Sequence, residues 1–174
     1  PGIPEKTEIM KLIREKGIQV ISEMELAYRF KGESKIIAIT GSNGKTTTTA
    51  MTYHICHEAG LDCAMVGNIG DSFARRIAED PSALYVVEVS SFQLDDIITF
   101  RPDIAILTNI TEDHLDRYDY KFENYIKSKF RIIMNQKATD HFIYCCDDEV
   151  TMEYLNKFNI QSNQLPISMT KELP

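Results

Sequence analysis

Three short stretches carry residue types that could do chemistry together. The first is IAITGSNGKTTTT, residues 37–49. Gly41 and Gly44 flank Ser42 and Asn43, and Lys45, Thr46 and Thr47 follow. Two glycines at this spacing let the backbone curl until successive N–H groups point inward, and a phosphate settles there against the start of a helix. Lys45 would reach the β- and γ-phosphates, and the Thr46 hydroxyl would ligate Mg²⁺. The loop is shorter than the general GxxxxGK[ST] pattern, whose first glycine would fall on Ile39. The plain alternative is a Gly-Ser-Asn turn that only reverses the chain. The second stretch is LYVVEVSSFQL, where Glu88 ends an apolar run. A carboxylate buried there alone would be costly. In a P-loop protein the acidic residue ending a neighbouring strand supports the Mg²⁺; the alternative is a solvated strand end. The third is TNITEDHLDRY, which sets His114 among Glu112, Asp113 and Asp116. That mixture suits a hard metal ion or a general acid and base, although a single histidine is commonly a surface or core residue. Lys129, in YIKSKFRI, reads by spacing alone as an ordinary surface lysine on an amphipathic helix.

These residues need elements to hold them. The chain alternates short apolar runs with longer amphipathic ones, the pattern of an α/β fold in which helices flank a mostly parallel sheet. The expected strands are IQVIS, KIIAIT, CAMVG, ALYVVEVS, DIAILTNI and HFIYCC. The expected helices are PEKTEIMKLIREKG with Pro4 at its start, EMELAYRF, TTTTAMTYHICHEAG, FARRIAED, NYIKSKFRIIMNQ and DEVTMEYLNKF. The tail from Gln161 shows no clear period. Ligands in such folds bind where strands end. The polar residues at those ends are Gly41–Thr46, Asn68, Glu88–Ser91 and Asn109–His114.

Composition narrows the partners. The 174 residues carry a formal net charge of −7, which argues against a nucleic-acid backbone and leaves room for a small phosphate ligand at a local positive site. No apolar run approaches a membrane span, and PGIPEKTEIM lacks the basic and apolar regions of a signal peptide. The expectation is a cytoplasmic protein with no membrane partner. The four cysteines read as reduced thiols. A metal site from His54, Cys56, His57 and Cys63 would match no usual zinc spacing. Opening at Pro1 and closing on Pro174, the sequence reads as a piece of something longer.

Together the motifs resemble the Mur ligases, ATP-dependent enzymes that build the peptidoglycan stem peptide. TGSNGKTTT is similar to their P-loop, and the fold implied is their P-loop NTPase-like central domain. PGIP, GNIG, EVSSFQL, NITEDHLDRY and YIKSKFRI resemble the branch that adds D-glutamate to UDP-N-acetylmuramoyl-L-alanine. The resemblance covers residues 1 to about 150. It implies ATP on Gly41–Thr47, with Lys45 on phosphate, and two Mg²⁺: one held by Thr46 and Glu88, the second by His114 and Lys129. Lys129 falls where the family has a lysine carbamylated by CO₂, which needs a neutral amine. Lys45, His114 and Lys129 are the implied catalytic residues. Asn68 and Ser90 match positions near the muramoyl substrate, and Pro1 and Gly2 a loop touching its uridine-linked part. The implied division is the end of a uridine-nucleotide domain over residues 1–33 and an incomplete ATP-binding domain over 34–174. The amino-acid-binding C-terminal domain is absent, so this piece alone is expected not to ligate; the full-length enzyme is expected to be a monomer. The competing readings are a Mur-type ligase for another amino acid, a folylpolyglutamate synthetase-like ligase, a P-loop kinase or GTPase-like switch, and a structural module.

Overall fold

A computed structural model describes residue 3, residues 6–170 and residues 172–173. Pro1, Gly2 and Pro4, to which the sequence assigns substrate contacts and a helix start, lie outside the described residues. The first helix, α1, spans Glu8–Glu15, and α2 spans Glu23–Phe30. Six strands and five further helices follow: β1 Lys35–Thr40, α3 Lys45–Glu58, β2 Cys63–Gly67, α4 Phe73–Glu79, β3 Leu84–Glu88, α5 Ser91–Asp95, β4 Ile104–Leu107, α6 Phe122–Phe130, β5 His141–Cys145, α7 Glu149–Leu155 and β6 Asn163–Ile167. Single 3₁₀ turns lie at Leu115–Arg117 and Arg131–Ile133.

All six strands are parallel, in the order β2-β3-β1-β4-β5-β6. Parallel strands require crossovers, and the amphipathic runs supply them as helices on the sheet faces. Register places Val66, Val87, Ala38, Ala105 and Phe142 in one row on one face. That row belongs to the main core, with Tyr85, Phe73, Phe100 and Phe130 packed around it. On the opposite face α3 lies against β1, β2 and β3. Ile39 and Glu88 are register partners there, so the carboxylate stands over the start of α3.

The strand order decides where a ligand can sit. From β1 the chain leaves toward β2, and from its neighbour β4 it leaves toward β5. Loops that part in opposite directions from adjacent strands open a crevice at their C-terminal ends, the usual ligand position in such sheets. The loops after β1 and β4 are the glycine loop and the segment bearing His114.

Two expectations fail. Residues 18–22 form no strand. Ser22 instead caps α2 by accepting from the Glu25 N–H at 3.3 Å, while its own N–H donates to Asp96 O at 3.0 Å. The apolar IQVIS run is thus a connector tied to the end of α5. Conversely, the tail without a period supplies β6, paired from His141↔Asn163 to Cys145↔Ile167. All five of its residues are exposed, so no burial alternation marked it in the sequence. The helix expected over residues 124–136 starts earlier, at Phe122, and tightens to a 3₁₀ turn after Phe130.

Candidate active site

The glycine loop joins β1 to α3. Gly44 takes φ +80° and serves as the cap of α3, a left-handed position that suits glycine. Thr48 N–H makes the first intrahelical bond, to Gly44 O. The N–H groups of residues 44–47 therefore have no acceptor among the described residues, and they form a donor cluster at a helix N-terminus. The two N–H groups before them are occupied: Ser42 N–H donates to Asn109 O at 2.9 Å, and Asn43 N–H to Asn109 Oδ1 at 2.9 Å. The cradle is thus narrower than the seven residues read from the sequence.

Gly41 has φ +149°, and a Cβ there would stand 1.8 Å from Thr108 Oγ1. The β1 and β4 loops approach that closely only because position 41 has no side chain. Gly41→Ala should lower stability by about 2–4 kcal/mol, from strain and overpacking together. Urea unfolding would measure it, and adding Thr108→Ala should recover part of the loss. An unchanged midpoint for the single variant would show that the loop does not need this approach.

Around the cradle the structure brings four of the sequence-assigned residues together. Lys45 Nζ donates to Ser42 O at 2.9 Å. The Thr46 hydroxyl donates to Glu88 Oε2 at 2.9 Å, and Asn68 Nδ2 donates to Glu88 Oε1 at 2.8 Å. Glu88 is 1% exposed, and among the described residues no cation pairs with it. Its two donors are neutral, and its two oxygens keep lone pairs to spare. A hydroxyl beside an otherwise unpaired, buried carboxylate is an oxygen donor set that fits a hard divalent cation.

Lys129 is not the surface lysine its spacing suggested. It is 1% exposed, donates to Gly41 O at 2.7 Å and sits 4.6 Å from the centre of the Tyr125 ring. Burial, and then the nearby Lys45 ammonium, push its pKa down to about 7, with Asp113 opposing. An amine at that value is available in neutral form near physiological pH.

Among the described residues, His114 and Ser90 make no hydrogen bond or ion pair with these groups. His114 takes the left-handed conformation, φ 50°, lies 3.4 Å from Asp113 Oδ2 and meets the Phe92 ring edge-on at 5.1 Å. Among the described residues no hydrogen bond or ion pair joins it to Glu88 or Lys129. Ser90 is engaged in a capping box at the start of α5, accepting from Gln93 N–H at 3.3 Å while Gln93 Oε1 accepts from Ser90 N–H at 2.9 Å. Thr47 contributes its free N–H. All four cysteines are free thiols.

Sequence reasoning missed Tyr125 as a site residue and caught Thr111 only within the polar stretch 109–114. The Tyr125 hydroxyl lies 3.1 Å from Ser42 Oγ, which also donates to Thr111 O and accepts from Thr111 N–H, both at 2.9 Å. Tyr125 therefore supports the glycine loop and Lys129 together. The helical spacing of Tyr125 and Lys129 was visible, but nothing local pointed either of them at residue 42.

Residues 39–172 match the model of the Mur ligase middle domain. The chain belongs to that family. It is 54% identical over 170 residues to the UDP-N-acetylmuramoylalanine–D-glutamate ligase of Cytophaga hutchinsonii, covering 97% of this chain and 38% of that protein. It is 53% identical over 173 residues to the ligase of the same name from Christiangramia forsetii, covering 99% of this chain and 39% of that protein. This Mur ligase middle domain thus spans about two fifths of the length of the curated relatives it matches. Among solved structures, MurF ligase from Thermotoga maritima in complex with ADP superposes with a TM-score of 0.68 at 22% identity, over 86% of this chain and 36% of that one. That likeness establishes the α/β fold. No helix among the described residues is long and apolar enough to cross a membrane.

Proposed function

We propose that this Mur ligase middle domain is the nucleotide-binding part of a cytoplasmic, ATP-dependent ligase that joins D-glutamate to UDP-N-acetylmuramoyl-L-alanine. The observation that carries the reading is the cluster at the open glycine loop: free N–H groups on residues 44–47, Lys45 beside them, and Glu88 held by Thr46 and Asn68. The D-glutamate assignment rests on the relatives' names and on the EVSSFQL and NITEDHLDRY segments. Residues 1–33 then lead in from a uridine-nucleotide domain, and 34–174 belong to the ATP-binding domain. A further domain supplies the amino-acid site, and the whole enzyme acts as a monomer on small molecules.

In this reaction the terminal carboxylate of the muramoyl substrate takes the γ-phosphoryl group of ATP and ADP leaves. The amine of D-glutamate then attacks the acyl phosphate, phosphate leaves, and the amide remains. The residues mainly position groups and neutralise charge. The N–H groups of residues 44–47 take the phosphate oxygens. Lys45 leaves Ser42 O and swings to the β- and γ-phosphates. Thr46 and Glu88 would hold one Mg²⁺, and His114 with the carbamate of Lys129 a second, supplying neutralisation of the two anions that must meet. The neutral Lys129 amine adds to CO₂ and loses one proton, so a neutral buried group becomes the carbamate anion. The family resemblance assigns Asn68, Ser90, Pro1 and Gly2 to contacts with the muramoyl substrate.

The test uses the full-length protein that carries this chain, assayed with ATP and the muramoyl substrate against a panel of amino acids. Product of the mass of the D-glutamate adduct, with phosphate released in equal amount, is expected from D-glutamate. Product from a different amino acid, or only with GTP, would overturn the assignment. The 174-residue chain alone should bind ATP and form no product.

A further inference from the structure

The loop after β4 grips the glycine loop at Asn43. Every backbone hydrogen-bonding group of Asn43 is engaged from that side. Asn109 Oδ1 accepts from Asn43 N–H at 2.9 Å, and Asn109 Nδ2 donates to Asn43 O at 3.1 Å. The Thr108 hydroxyl donates to the same carbonyl at 2.7 Å. The Asn43 side chain points the same way, donating to Thr111 Oγ1 at 3.2 Å.

This grip fixes more than Asn43. The Asn43 carbonyl and the Gly44 N–H belong to one trans peptide, so they point in opposite directions. With the carbonyl drawn toward Thr108 and Asn109, the Gly44 N–H must face away from β4. That is the side of the free N–H groups at the start of α3. Gly44 tolerates either orientation of this peptide, because a residue without Cβ moves freely between backbone regions. An external clamp is therefore needed to select one of them.

We propose that Asn109 is a positioning residue for the phosphate loop. Its amide grips both backbone groups of Asn43 and so aims the Gly44 N–H into the anion cradle. Asn109 touches no phosphate itself, since both polar atoms of its side chain are spent on Asn43. The amide is the side chain suited to the task, because it offers one acceptor and one donor side by side. Aspartate would keep the acceptor, lose the donor and set an oxygen against the Asn43 carbonyl. The inference rests on the proposed binding of a nucleotide at this loop and deepens it.

The experiment compares the 174-residue chain with Asn109→Ala, Asn109→Asp and Lys45→Ala, each checked for cooperative unfolding and studied well below its midpoint. ATP affinity is read by calorimetry, and amide exchange is read residue by residue in the nucleotide-free protein. Loss of binding by Lys45→Ala tests the underlying reading; unchanged binding there removes the nucleotide from this loop and the inference with it. Given that loss, Asn109→Ala should weaken ATP about tenfold, equivalent to about 1.4 kcal/mol, and Asn109→Asp at least as much. In both variants the Asn43 amide should exchange faster while the amides of β1 keep their protection. ATP affinity equal to wild type in Asn109→Ala would overturn the proposal. So would a loss of protection spread evenly over β1 and α3, which marks a residue needed only for folding.

Discussion

Lys129→Ala should lower the proposed ligation, assayed with the full-length protein, about 10³-fold, the scale seen when one charge-stabilising group is removed from an active site. ATP binding should survive, because the N–H groups of residues 44–47 and the Lys45 side chain remain. The argument begins with burial. A lysine that is 1% exposed, bonded to a neutral carbonyl and placed near a second ammonium loses much of its preference for the charged form. Its pKa falls to about 7, from burial first and Lys45 second. The sign of the pH effect follows. Below about pH 7 the amine is protonated and cannot add to CO₂; above it the neutral amine predominates. At fixed dissolved CO₂, activity should therefore rise as pH climbs through 7, and removal of CO₂ should depress it.

Lys129→Arg separates two explanations. Arginine keeps a positive charge and cannot form the carbamate at accessible pH. If Lys129 acts as a carbamate, the arginine variant should be as inactive as the alanine one. If it acts as a buried cation, arginine should retain much of the activity, and the carbamate reading fails. A thermal melt of each variant guards against a trivial loss of fold, since the pocket between Gly41 and Tyr125 was shaped for a thinner side chain.

The contrast at Lys129 marks the limit of reading such a site in one dimension. Gly41, Gly44, Lys45 and Thr46 are legible because a glycine loop opening a helix is local: the glycines, the lysine and the first turn of the helix lie within ten residues. The strands β1, β2, β3, β4 and β5 are legible because each is a short apolar run buried in a parallel sheet. The strand β6 is not, because it is exposed throughout and contains Pro166, so pairing with β5 decides it rather than pattern. Residues 18–22 mislead for the opposite reason. They have the composition of a strand but pair with no strand, and Ser22 at their end caps α2 and donates to Asp96 O instead.

The same limit applies to the clamp. Asn109 stood out as a polar residue at a strand end, but its partner Asn43 lies 66 residues earlier. Only the adjacency of β1 and β4 brings them together. Ser42 likewise reads as a phosphate ligand, whereas its N–H and hydroxyl are used to bind the β4 loop. In a loop gripped this tightly, several residues of the motif shape the cradle and fewer line it.

Glu25→Gln should destabilise the folded chain by about 3 kcal/mol at pH 7, a shift of about 10 °C in midpoint for a protein of this size. Glu25 and Arg29 stand one turn apart on α2 and pair at 2.9 Å. The structure gives its carboxylate no exposure and five partners. Arg29 donates at 2.9 Å, the Thr99 hydroxyl at 2.7 Å, and the N–H groups of Ile98, Thr99 and Phe100 at 2.9, 2.8 and 2.8 Å. Burial raises the carboxyl pKa, but the Thr99 hydroxyl and the three backbone donors outweigh it and bring it down to about 2. The contribution to stability is therefore fully present above the unfolded value of 4.5 and disappears as pH falls toward 2. Glutamine replaces one acceptor oxygen with a donor and leaves a buried N–H facing another. The difference between wild type and Glu25→Gln should accordingly shrink between pH 4.5 and 2, where wild type loses its own advantage. A gap that stays constant across that range would mean that the charge is not what holds α2 to the turn entering β4, the strand whose far end carries the Asn109 clamp.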